Sequence, residues 1–462
     1  MQQGMLYDTI QSSRPGMYCI VVSYRIAGPL DAPALFAAWT TVIARHPILR
    51  TSFHWRDRSE PVQVVHHDVT LAVAEDDWQA LTPEEQQQRL TALLVAEHDR
   101  GFDVAAPPLM RLTLVRCGPD HHELVVAHHH LLLDGSCKPL LFGEVFACYE
   151  AIHRGQPFDA EPPQPYRRYI QWLGEQDLRA AETFWQNELH GFAAPTPLWS
   201  EARRDSMATR DYDEHQVELD EQATRRLRQF AQASRLTLNT LVCGAWALLL
   251  ASSSKRGDVV FGATVNARPA ALDGVEMMLG LFINTLPVRV RIAPTTGVAE
   301  WLRTIQLQQM SAREFDFAPL SAIQRWSDVP RRLALFESIL VFENNPGYGS
   351  DSERHGSVAI TNVQAHIRNS LPLTLRCVPG RRLGMQVLYE TARFSPETIA
   401  NIAEDLLRVL NDMASDALQP VGGLTATLSE NEQRRIDLQA NVFQQALRDK
   451  LSRRSRGRER NE

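Results

Sequence analysis

Cysteine is scarce and poorly spaced for cross-linking. The six cysteines, Cys19, Cys117, Cys137, Cys148, Cys243 and Cys377, lie far apart and never form a Cys-x-x-Cys. A disulfide framework and a zinc knuckle are therefore not expected, and a reducing compartment is. Long apolar runs are also missing, and the longest, around Leu241 to Ala251, is too short for a bilayer. The opening residues, MQQGMLYDTI, lack the basic segment and apolar core of a secretory signal. The expectation is a cytoplasmic protein with no membrane partner. Net positive charge is missing too: 48 basic against 55 acidic residues give −7, which offers nucleic acid no general footprint. The imbalance is uneven, because Asn441 to Glu462 holds seven basic and three acidic residues. That basic C-terminal tail, 436–462, reads as solvated and frayed. With 44% hydrophobic and 22% charged residues, and its 24 glycines and 26 prolines scattered, the chain fits a folded globular protein rather than a collagen, a coiled coil or a disordered chain.

What the chain does have is an alternation of strand-like and helix-like segments, twice over. In the first half, CIVVSYRI, PVQVVHH, LMRLTLVR and ELVVAHH read as strands, the last two joined as a hairpin by Cys117-Gly118-Pro119-Asp120. Helices are predicted after Asp31, a plausible cap, and after Thr82-Pro83-Glu84-Glu85, which has the pattern of a capping box. The Pro-rich stretch Gln156 to Pro165 interrupts the pattern, which then restarts. HQVELD, DVVFGATVN, TLPVRVRI, FESILVFE, SVAITNVQ, LPLTLRCV and LGMQVLYE read as strands. EQATRRLRQFAQAS, LNTLVCGAWALLLASSS, Val298 to Ala312 and Pro396 to Met413 read as helices, the second apolar nearly all round and so buried. This α/β (α+β) pattern divides into an N-terminal lobe at 1–165, a linker at 166–179 and a C-terminal lobe at 180–435.

One segment carries chemistry. His128-His129-His130 ends an apolar strand and is followed by Leu131-Leu132-Leu133-Asp134-Gly135, so an imidazole is delivered to a strand end with a tight turn behind it. An imidazole with an ordinary pKa near 6.5 suits a general base at neutral pH. A metal site is not expected, since adjacent strand residues face opposite ways and no second cluster has ligand spacing. The residues alone leave two readings open: a catalytic base, or a buried structural histidine cluster.

His129 to Gly135 match HHxxxDG, and on that motif the chain resembles the condensation domains of nonribosomal peptide synthetases, in the chloramphenicol-acetyltransferase-like superfamily. Five further segments are similar to that family in its order. MQQGMLY resembles an opening motif, Arg45 to Phe53 (RHPILRTSF) resembles RHExLRTxF, and Tyr166 to Trp172 is a loose match to YxDFAVW. Gly280 to Arg289 resembles GxFVNTxxxR, and Phe336 to Pro346 is similar to a later strand and turn.

The resemblance implies two acetyltransferase-like lobes forming a V-shaped pseudo-dimer with a tunnel between them. It also implies transfer of an acyl or peptidyl group from a carrier protein's phosphopantetheine thioester to an amine or hydroxyl, with no cofactor held by the chain itself. In that family the second motif histidine, here His130, meets the acceptor nucleophile, and Gly135 brings a backbone N–H near the thioester oxygen. His129 and Asp134 support the site, with Arg45 the expected salt-bridge partner of Asp134. Ser136, Cys137 and Asn284 are candidates to line the tunnel, although an Asn in LGLFINTLPV is equally readable as a satisfied core amide. Ser136-Cys137-Lys138 departs from the family's usual aromatic and Ser after Asp-Gly, which leaves acceptor size open. No adenylation or carrier segment is seen, so a free-standing monomeric enzyme is expected. An epimerisation domain and a non-catalytic recruitment module are the rival readings.

Overall fold

The computed structural model describes every residue except 12–15, 59, 200–211, 344–352, 357, 367–370, 436 and 438–462. The basic tail, apart from residue 437, and Asn344 to Pro346 of the Phe336 to Pro346 segment lie outside the described residues.

Helix α1 (Gln2–Gln11) and strand β1 (Cys19–Ala27) open the first half. In α2 (Ala32–Arg45), Asp31 accepts the Ala34 N–H at 3.0 Å, and Leu35, Ala38, Trp39 and Val42 bury one face at helical spacing. An antiparallel pair, β2 (Thr51–His54) and β3 (Val62–Val65), follows, then the exposed edge strand β4 (Ala72–Asp77). Helix α3 (Pro83–Arg100) starts in a full capping box between Thr82 and Glu85. The antiparallel hairpin of β5 (Met110–Gly118) and β6 (His121–His129) leads into α4 (Lys138–His153). The expected linker is largely helical, comprising α5 (Arg167–Gly174) and the start of α6 (Leu178–Leu189).

The second half runs β7 (Tyr212–Leu219), α7 (Glu221–Ser234), α8 (Leu238–Ser254), β8 (Asp258–Asn266), β9 (Ile283–Arg291), α9 (Val298–Arg313), α10 (Leu320–Trp326) and β10 (Ser338–Phe342). It continues with β11 (Glu353–His355), β12 (Val358–His366), β13 (Leu373–Val378), β14 (Leu383–Glu390) and α11 (Pro396–Ser415). Helix α8 is buried on every side from Thr240 to Ala251 and forms the centre of the second core, as its composition predicts. No single helix among the described residues is long and apolar enough to cross a membrane.

Two six-stranded sheets result, ordered β11-β12-β1-β6-β5-β4 and β7-β14-β13-β10-β8-β9. Here the expected division at 180 needs correction. Strand β12 pairs antiparallel with β1, so the expected strand SVAITNVQ, from Val358 onward, belongs to the first sheet although it comes late in the chain. Likewise Val275, Met278, Leu279, Leu281 and Phe282 pack into the first core. The reason is physical: both sequences are apolar enough to join either core, and neither their periodicity nor their composition says which sheet edge they complete.

Candidate functional site

The end of β6 delivers the histidines. The backbone N–H of His130 donates to the Tyr18 carbonyl at 2.8 Å, and that of His129 donates to Leu109 at 3.0 Å, so the chain stays pinned between β1 and β5 past the last ladder pair. Alternation then separates three neighbouring imidazoles. His129 is buried: its Nδ1 accepts the Leu131 N–H at 3.1 Å and its Nε2 lies 3.3 Å from the Thr9 hydroxyl. Nδ1 must therefore be the lone-pair nitrogen and Nε2 the protonated one. Burial, with His130 adding to it, pushes the His129 pKa down to about 3.

His130 has the opposite tautomer. Its Nδ1 sits 2.8 Å from the Leu133 carbonyl oxygen, an atom that only accepts, so Nδ1 carries the proton and Nε2 keeps its lone pair. Burial lowers the His130 pKa below the ordinary imidazole value, while Asp134 and the Leu133 carbonyl pull against it. The ring is neutral at pH 7 and able to take a proton. His130, Gly135 and Ser136 all line a cavity of about 2060 Å³ whose walls come from both sheets. A Cβ built on Gly135 meets no protein atom within 4 Å, so this position faces open space.

Asp134 is 2% exposed, and its carboxylate is fully engaged. Oδ1 accepts the Ser136 N–H at 2.9 Å and the Ser136 hydroxyl at 2.5 Å; Oδ2 accepts the N–H groups of Phe282 at 2.6 Å and Ile283 at 3.1 Å. The expected Arg45–Asp134 salt bridge is not the one formed. Arg45 instead pairs with Glu144 of α4 at 2.5 Å and donates to the carbonyls of Ala160 at 3.3 Å and Glu161 at 2.7 Å. Backbone N–H groups satisfy the buried Asp134 carboxylate without a cation, and Arg45 staples the Pro-rich segment to α2 and α4. Arg50 has a similar local task, donating to the carbonyls of His66 and His67 beside β3.

Two other candidates are corrected. Cys137 is fully buried and does not line the cavity: its thiol donates to the Gly280 carbonyl at 3.0 Å. Burial, reinforced by Asp134, pushes the Cys137 pKa up to about 12, so no thiolate nucleophile exists here. Asn284 also stays out of the cavity and is a satisfied core amide, donating to the carbonyls of Asp316 at 2.7 Å and Ala318 at 2.8 Å. Of the three candidates for the tunnel wall, only Ser136 is on it.

The residue that sequence reasoning missed is Arg268. It reaches from the loop after β8 to the Ser136 hydroxyl at 3.1 Å and the Cys137 sulfur at 3.3 Å. It also donates to the carbonyls of Val275 and, at 2.8 Å, Met278, and lies 3.9 Å from the Phe282 ring centroid. Beside it Tyr166 donates to the Leu281 carbonyl at 2.7 Å, and its ring occupies the space a Cβ on Gly280 would need, 2.0 Å away. Asp134, Arg268 and Tyr166 thus hold the loop after β6 against Gly280 to Ile283. Nothing in Asn266-Ala267-Arg268-Pro269 marks it in sequence, since its partners are backbone carbonyls and a loop more than 130 residues away. Among the described residues no group of three or more His, Cys, Asp or Glu is arranged to hold a metal ion.

Two sheets, a shared cavity and an HHxxxDG loop at its wall define an acetyltransferase-like acyl-transfer fold. A sequence profile of the Condensation domain family matches residues 1–436, and the chain belongs to that family, whose members are acyltransferases that form amide bonds in nonribosomal peptide synthesis. One of the linear gramicidin synthase proteins of Brevibacillus parabrevis is 39% identical over 438 residues, covering 94% of this chain and 9% of its own. The chain therefore spans about a tenth of that relative's length. Chondramide synthase of Chondromyces crocatus is 36% identical over 398 residues, covering 86% of this chain and 10% of its own. Among solved structures, the X-domain in complex with OxyB from teicoplanin biosynthesis superposes with a TM-score of 0.77 at 24% identity, over 92% of this chain and 94% of the other. The four-domain nonribosomal peptide synthetase holo-AB3403, bound to AMP and glycine, gives 0.78 at 19%, over 91% and 33%. These likenesses establish the fold, and the expected pair of acetyltransferase-like lobes in a V is the fold found.

Proposed function

We propose that this chain transfers an acyl or peptidyl group from the phosphopantetheine thioester of a separate carrier protein to an amine or hydroxyl acceptor, in the cytoplasm. The observation that carries this reading is the His130 tautomer: a neutral imidazole with its Nε2 lone pair available, on the wall of a cavity built from both lobes. In the reaction Nε2 takes the proton from the acceptor as its nitrogen or oxygen attacks the thioester carbonyl. The tetrahedral oxyanion forms beside Gly135, collapse breaks the C–S bond, and the proton goes to the departing thiol, giving an amide or ester and a free carrier arm. Asp134 and His129 act by holding the loop, and Cys137 takes no part.

The cavity volume, about 2060 Å³, accommodates a pantetheine arm with its acyl group and an acceptor together. Intact-protein mass spectrometry of an acyl-loaded carrier, incubated with the enzyme and a panel of amines and alcohols, tests the reading. Loss of the acyl mass from the carrier with a matching amide or ester product is the expected result. Solvent deuterium entering the acyl α-position without transfer would instead indicate epimerisation. Carrier binding with neither change would indicate a recruitment module.

A further inference from the structure

The second sheet faces the cavity with a polar strip. In β13, Leu373, Leu375 and Cys377 point into the second core, so Thr374 and Arg376 face the opposite side. In β14, Leu383, Met385, Val387 and Tyr389 are the core residues, leaving Gln386 and Leu388 on the cavity side. The cavity wall contains all four of these outward residues, together with Glu214 of β7 and Glu343 just past β10. Side chains link them across the strands. Arg376 Nε donates to Glu343 at 3.2 Å, and its Nη1 donates to the Gln386 carbonyl oxygen at 3.3 Å. The Gln386 amide then donates to Glu214.

A sheet face covered only by protein would favour apolar residues. Here a row of Glu, Gln, Arg and Glu crosses four adjacent strands instead, with Arg376 and Glu343 only 16% and 20% exposed. The row has two carboxylates to one guanidinium. Among the described residues the cavity lining has the same bias: five acidic residues, Asp8, Asp99, Glu188, Glu214 and Glu343, stand against two basic ones, Arg313 and Arg376. Low-dielectric walls focus such a field on whatever enters.

We infer that Glu214, Gln386, Arg376 and Glu343 form a specificity strip that selects substrates bearing an N–H donor, above all an ammonium group, and disfavours aliphatic and carboxylate ends. This rests on the reading of the cavity as the substrate tunnel. An alkyl end would strip water from the row without replacing its hydrogen bonds, and a carboxylate would meet a surplus of like charge. An ammonium pairs with Glu214 or Glu343 and leaves the Arg376 links intact.

Three pantetheine amides of matched length test this, with 6-aminohexanoyl, heptanoyl and adipoyl groups ending in ammonium, methyl and carboxylate. Their affinities for the wild type and for the Glu214→Gln/Glu343→Gln double variant are measured by calorimetry, which needs no turnover. The expected wild-type order is ammonium, then methyl, then carboxylate, with about ten- to a hundredfold between first and last. In the double variant, whose thermal unfolding verifies its fold, the ammonium advantage collapses and the adipoyl probe gains. A methyl probe that binds the wild type as tightly as the ammonium one, an order unchanged by the substitutions, or binding of no probe would each overturn the strip. An acetyl-loaded carrier with an amine acceptor reports condensation separately. Product with the wrong affinity order rejects the strip alone, and the right order without product rejects the condensation reading alone.

Discussion

Two adjacent imidazoles in this protein take opposite tautomers because their backbone surroundings differ. His130 finds a carbonyl at Nδ1, and His129 finds an N–H there. Only the first leaves a basic Nε2 in a ring that lines the cavity. Since burial lowers the His130 pKa, the base form prevails at neutral pH, and protonation removes activity only below the ordinary imidazole range. A pH–rate profile of kcat/KM is expected to show an acid limb below about pH 6.5; a limb centred above pH 7 would contradict this assignment. His129 has a stability consequence. Its folded pKa is depressed to about 3, so an unfolded chain binds a proton there that the folded chain refuses. That contribution is fully present above about pH 6.5 and is lost as pH falls toward 3, at about 1 kcal/mol per pH unit. His129→Asn keeps an acceptor near the Leu131 N–H and removes the titration. Urea unfolding at pH 7 and pH 5 should show a smaller acid loss for this variant than for the wild type.

At the scale of elements, the site depends on how one loop is held against another. Asp134 accepts two N–H groups from Gly280 to Ile283, so its removal leaves buried donors unsatisfied on a segment that comes from the second half of the chain. Asp134→Ala is expected to cost about 3 kcal/mol in denaturant unfolding, from the loss of charge-assisted hydrogen bonds. A cost within error of zero would contradict a clamping role for Asp134. These loops also show what was legible in the sequence. Helices α7 and α8 run over the segments that read as helices in the sequence, and the β5–β6 hairpin was readable from its turn. HHxxxDG likewise announced His130, because a strand, a turn and an imidazole are local features. The partners of Asp134 were not legible, since backbone N–H groups leave no trace in side-chain chemistry, and the family resemblance pointed to Arg45 instead. Strand β4 was missed for a related reason: all six of its residues are exposed, so it lacks the alternation that marks a half-buried strand.

At the scale of the molecule, the two halves are interleaved rather than merely apposed. Strand β12 completes the sheet of the first half, the segment before β9 packs into the first core, and the cavity takes its walls from both. The second half supplies the clamp and the far wall, and the first supplies the imidazole. The most direct measurement is the single-turnover rate of acyl transfer from a loaded carrier to an amine, for the wild type and His130→Ala, with carrier affinity measured alongside. His130→Ala is expected to lower the rate by about 10²- to 10⁴-fold while carrier affinity is unchanged. An unchanged rate would contradict it and remove His130 as the base.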